Sequence, residues 1–110
     1  MPHLDGLEAT RQIRYFPGEP GIDVDAAVRL GECGVSLVGS DNYAVEVMLF
    51  PVETVFPVHQ RLIRDYGVPL LEGLALKELA HTNATEFLFT AAQLPIVGGT
   101  GSPICPVAVL

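Results

Sequence analysis

Residues 56–74, FPVHQRLIRDYGVPLLEGL, restrict the fold more than any other stretch. Proline after Phe56 and glycine at position 67 are a matched start and stop, predicting a helix over residues 57–66 with Val58, Leu62 and Ile63 turned inward. Residues 68–71 predict a strand directly behind it, and that strand carries Glu72 among Leu70, Leu71 and Leu74. A carboxylate in such company is expected to be shielded from water, and a buried charge without a partner is expensive. A metal ion, a histidine or a positively charged neighbour would each neutralise it. His59 is the nearest residue able to share a metal with Glu72, and the first helical turn favours the neutral imidazole that coordination requires. The competing account pairs Glu72 with an arginine and leaves His59 as a helix-start residue.

Around this stretch the chain alternates helices and strands. Residues 4–14 have helical spacing with Asp5 as cap, and residues 15–23, YFPGEPGID, form a loop broken by two prolines and two glycines. Asp23 caps a helix over residues 24–33 that buries Ala26, Ala27 and Leu30 and stops at Gly34. Residues 35–39, VSLVG, predict a strand buried on both faces, leading into the polar turn Ser40, Asp41, Asn42. Ligands bind at such carboxyl ends in open α/β sheets, so Asp41 is a candidate substrate-binding residue; a plain turn or helix cap is the alternative. Residues 44–48 alternate in a short extended piece in which Glu46 could face either way. A short amphipathic helix at LALKELA, a core strand over residues 86–94 and a closing strand over 104–110 complete the order. This is an α/β domain with a mixed sheet and flanking helices.

Composition narrows the function classes. Hydrophobic residues make up 49% of 110, with no Trp, so the chain is globular rather than disordered. Thirteen acids against 6 bases give a net charge of −7, which argues against nucleic acid or an anionic membrane as partner. No run reaches the roughly 18 apolar residues of a membrane span. The charged opening does not read as a leader, and two cysteines suit a reducing compartment, so the cytoplasm is expected. Cys33 and Cys105 have no neighbouring base and read as buried or semi-buried thiols; His3 and His81 read as surface residues. GGTGSP, at 98–103, lacks the Lys-Ser/Thr ending of a phosphate loop and precedes a strand, so a glycine bend near a ligand, or a plain turn between strands, fits better.

Two resemblances add to this reading. MPHLDGLEATRQIR, within residues 1–15, resembles the loop and following helix of response-regulator receiver domains, without their phospho-acceptor aspartate. GVSLVGSDNYAVE, FPVHQRLIRDYGVPLLEGL and EFLFTAAQLPIVGGTGSP together resemble the C-terminal half of the cyclase family of metal-dependent hydrolases, which includes kynurenine formamidase and isatin hydrolase. The likeness covers residues 16–110 and implies a partial swivelling β/β/α domain. It also implies a divalent metal, zinc or manganese, held by His59 and Glu72, with Asp41, Thr100 and Ser102 toward the substrate. The implied reaction is hydrolysis of a formamide such as N-formylkynurenine, or of a cyclic amide, by a metal-activated water, in a homo-oligomer. The family's signature His-x-Gly-Thr-His-x-Asp-x-Pro-x-His, which carries the remaining ligands and the catalytic histidine, matches no stretch here. The isolated chain is therefore expected to be weakly active or inactive. A non-catalytic regulatory or interaction module, or an inactive fragment, is the alternative.

Overall fold

The computed structural model describes residues 21–48, 50 and 52–110. The expected helix over residues 4–14, His3 and most of the loop after that helix lie outside the described residues. The chain divides into two compact units, Met1–Leu76 and Lys77–Leu110.

The first unit holds the core. Its first described helix, α1 (Val24–Glu32), starts where the sequence places it: the Asp23 carboxylate accepts from the Ala26 N–H at 2.8 Å. It ends in Cys33 and a left-handed Gly34. Ala26, Ala27 and Leu30, spaced to share one helical face, are buried as expected. They pack with Ile22, Val45, Val58, Leu62 and Val68 in one apolar cluster, where a fully buried side chain of Val or Leu size contributes about 1.5–3 kcal/mol.

The second helix, α2, runs as an α-turn over Pro57–His59 and widens into a π-helical stretch over Gln60–Asp65. The Tyr66 N–H accordingly reaches back five residues to the Arg61 carbonyl at 3.1 Å. Val58 and Leu62 are buried as predicted, whereas Ile63 is 49% exposed. An i, i+4 pair already fills the face that meets α1, and the residue after Leu62 points away from it.

Two short strands flank α2. Strand β1 (Val38–Gly39) pairs in parallel with β2 (Leu70–Leu71), in the register Val38↔Leu70 and Gly39↔Leu71. Both expected strands shrink to two residues, and residues 35–39 are half-buried or exposed rather than buried on both faces. The alternating piece at 44–48 forms no strand. Ala44 and Val45 have φ of 74° and 63°, which turn the backbone and bury Ala44, Val45 and Glu46 consecutively instead of on alternate faces. Only an isolated parallel bridge, Ile22↔Glu46, remains there.

The second unit contains helix α3 (Lys77–Thr82) and an antiparallel pair, β3 (Leu88–Thr90) with β4 (Val107–Val109). No residue of this unit is buried. The sequence predicts a core strand at 86–94, but Leu88, Val107 and Val109 are about half exposed or more. The glycine-rich bend, with Gly98 at a φ of 74°, is the turn between these strands. Helices and strands are mixed as an α/β class requires, yet among the described residues the strands form two two-stranded ladders rather than one mixed sheet. Among the described residues no helix is long and apolar enough to cross a membrane.

Candidate functional site

Among the described residues the buried carboxylate is Glu46, at 0% exposure, and not Glu72. Glu72 sits one position beyond the end of β2, where its side chain leaves the leucine run and is 38% exposed. Apolar neighbours in sequence therefore do not bury it.

Glu46 owes its position to a close backbone approach. Ile22 N–H donates to the Val45 carbonyl and Val47 N–H to the Ile22 carbonyl, each at 3.1 Å. Gly21 lies so near that a Cβ on it would stand 2.4 Å from the Glu46 carbonyl carbon, and its φ of 133° is itself a glycine conformation. From there the Glu46 side chain reaches the start of α2. Phe56, the residue before that helix, is left-handed and offers no side-chain cap. The first N–H groups of a helix need an acceptor, and Glu46 supplies two. Its Oε2 accepts from Val58 N–H at 3.0 Å, and its Oε1 from His59 N–H at 3.3 Å. A carboxylate there also meets the positive end of the helix.

The same Oε1 lies 2.5 Å from His59 Nδ1. On the other side of the ring, His59 Nε2 lies 3.2 Å from Glu72 Oε1. The imidazole, 26% exposed, is thus held between a buried and an exposed carboxylate. Phe56 adds an edge contact, its ring centroid 5.2 Å from that of His59.

Glu72 is exposed but its backbone is tied down. Ser40 N–H donates to the Leu71 carbonyl and Gly73 N–H to the Asn42 carbonyl, each at 3.0 Å, and Leu74 N–H donates to the Ser40 carbonyl at 2.9 Å. The polar turn after β1 is therefore stitched to the segment carrying Glu72. Within it the Ser40 hydroxyl bonds the Asn42 side chain, and Asp41 is exposed.

His59 and Glu72, paired in the sequence reading, stand 3.2 Å apart. Thr100 and Ser102 belong to the second unit, where Thr100 is exposed and the Ser102 hydroxyl accepts from Leu94 N–H at 3.1 Å. His81 is on the surface, as expected, but Cys33 and Cys105 are exposed rather than buried. A cavity of about 260 Å³ beside Glu46, walled by Ile22, Val24, Val47 and Phe50, is lined by neither His59 nor Glu72. Sequence reasoning singles out Glu72 and leaves Glu46 open. The signal for Glu46 is present in the run AVEVM, a carboxylate between valines, and the argument applied to Glu72 applies to it with equal force.

A metal would find two donors here. Ligands about 2.0–2.2 Å from a shared ion at a tetrahedral angle stand about 3.4 Å apart, close to the 3.2 Å between His59 Nε2 and Glu72 Oε1. In the neutral tautomer with its hydrogen on Nδ1, His59 Nε2 and Glu72 Oε1 would both be acceptors, an opposition that a cation between them would relieve. Among the described residues no group of three or more His, Cys, Asp or Glu side chains is arranged to hold a metal, so these two are a partial set.

No protein-family model matches the chain, and no solved structure matches it. It is similar to a kynurenine formamidase of Geobacillus thermodenitrificans (strain NG80-2), with 34% identity over 85 residues, or 77% of this chain. The aligned part spans 37% of the length of that curated relative.

Proposed function

We propose that the chain is a portion of a cyclase-family, metal-dependent amide hydrolase of the arylformamidase kind, acting on N-formylkynurenine or a related formamide or cyclic amide. The observation that carries this reading is the imidazole of His59 set between two carboxylates, with Nε2 facing Glu72. The partial likeness to a kynurenine formamidase supports the same reaction class.

In this reading His59 Nε2 and Glu72 would hold a zinc or manganese ion, which would lower the pKa of a water so that, once a base had taken its proton, it could attack an amide carbonyl. Glu72 contributes negative charge at an exposed, backbone-fixed position, and His59 contributes a nitrogen whose ring is braced by Phe56. Asp41, at the turn stitched to Glu72, is the proposed substrate contact of the first unit; the family resemblance proposes Thr100 and Ser102 as substrate contacts within the second unit taken by itself. The remaining ligands and the base belong to the family's histidine-rich signature, which this chain lacks, so the chain alone binds metal weakly and hydrolyses formamides slowly or not at all. The partial domain functions as a cytoplasmic homo-oligomer once that signature is supplied.

Zinc and manganese titrations by calorimetry, with a formamidase assay of the same samples, test the reading. Weak binding that disappears in both His59→Ala and Glu72→Ala is expected. Binding or activity untouched by either substitution would sink the assignment. A second reading, an interaction module or inactive fragment, is favoured by the exposed apolar strands of the second unit. It is the better account if the metals do not bind at all.

A further inference from the structure

We infer that Glu46 is a positioning residue that fixes the tautomer of His59, holding the ring with Nδ1 protonated and the Nε2 lone pair facing outward toward Glu72. The argument is one of acceptor geometry. A carboxylate with no exposure can only accept hydrogen bonds, and Glu46 already accepts from two backbone N–H groups whose direction is set by α2. Those bonds aim Oε1 at Nδ1, 2.5 Å away, so Nδ1 must carry the hydrogen. A neutral ring has one hydrogen for two facing carboxylates, and buried, doubly anchored Glu46 at 2.5 Å takes it over exposed Glu72 at 3.2 Å, which leaves Nε2 without one. A single buried side chain thereby starts the helix and presets the coordinating atom on it, and no other side chain among the described residues is hydrogen-bonded to Nδ1.

The use of that preset atom rests on the metal reading above, but the tautomer itself does not. Hydrogen bonding at the nitrogen opposite the ligand commonly fixes an imidazole for coordination, and its loss weakens metal affinity about 10–100-fold. Glu46→Gln is the informative change, because an amide has only one acceptor oxygen. Turned toward Val58 N–H, it leaves its NH₂ against Nδ1 and forces the hydrogen onto Nε2. Turned the other way, it sets a donor against Val58 N–H.

The test is imidazole ¹⁵N NMR of the uniformly labelled chain in mildly alkaline buffer, with His59 assigned by its absence in His59→Ala, alongside zinc titration. The Nδ1–H form is expected to dominate at His59 in the unmodified chain. In Glu46→Gln the Nε2–H form should rise and zinc affinity should fall about 10–100-fold. A dominant Nε2–H form in the unmodified chain overturns the inference whether or not the variant folds. So does an unchanged tautomer and zinc affinity in a folded Glu46→Gln protein. If the unmodified chain shows Nδ1–H but binds no zinc, the metal reading fails while the role of Glu46 stands.

Discussion

Gly31, near the end of α1, has the ring of Tyr66 laid directly over it: a Cβ at position 31 would sit 2.4 Å from two ring carbons. Real Cβ atoms do not approach so closely, so Gly31→Ala must push the ring away. Two terms then oppose each other. Alanine in place of a helical glycine gains about 1 kcal/mol. Tyr66 is 38% exposed, and a ring of this size is worth about 1.5–3 kcal/mol when fully buried, so expelling it forfeits about 1–2 kcal/mol. Gly31→Ala should therefore be neutral or destabilising by up to about 1 kcal/mol. In a Tyr66→Ala background the clash is gone, and the same substitution should stabilise by about 1 kcal/mol. Urea denaturation followed by circular dichroism of the four proteins gives the coupling directly, with about 1–2 kcal/mol expected. An equal stabilisation in both backgrounds, with coupling below about 0.5 kcal/mol, would refute the packing of α2 on α1 and with it the platform that carries His59.

Two further outcomes follow from features outside that contact. Arg64, hydrogen-bonded to Asp65 and seconded by Arg61, holds the Asp65 carboxyl below its ordinary value. A depressed carboxyl stabilises the fold above its unfolded value and loses that contribution as pH falls through the folded one. Asp65→Asn should therefore lower the urea midpoint slightly at neutral pH and progressively less as pH falls below the ordinary aspartate value of about 3.9; a loss that does not shrink in acid would remove the ion pair from the account. On the second unit, Leu88 faces Val109 across the antiparallel ladder, and both are more than half exposed. An apolar patch of this kind binds hydrophobic dyes, and the paired change Leu88→Thr with Val109→Thr should reduce dye fluorescence while leaving the circular dichroism spectrum unchanged. Undiminished fluorescence would place the apolar surface elsewhere.

The local signals in the sequence were reliable where a single residue type does one job. Asp23, Gly34, Pro57 and Gly67 bracket their helices because capping and left-handed stops depend on the immediate chain. His59 and Glu72 meet because a helix and the parallel strand after it bring their near ends together. Glu46 was not legible as the buried acid, because its burial depends on positive φ at Ala44 and Val45, conformations that neither residue type advertises. Its partners at the helix start are chiefly backbone N–H groups, which have no letter in a sequence. Glu72 departs from the sequence expectation for the complementary reason: strand β2 ends at Leu71, so the apolar pattern stops applying one residue before it. The run EFLFTAAQL reads as core because apolar density signals burial, but burial needs a second surface, and Leu88 remains 64% exposed.

The π-helical stretch of α2 bears on how this chain can change in length. A π turn is an α turn carrying one residue more. Removing exposed Arg64 would turn the five-residue link from Tyr66 to Arg61 into an ordinary four-residue one. His59 precedes the widened turn, so such a deletion leaves the imidazole and its seat on Glu46 untouched. A deletion within α1 would instead swing the Ala26, Ala27 and Leu30 face by about 100° and out of the core. The exposed position 64 is thus a point of slack, where one residue can be lost without moving the histidine or buried Leu62.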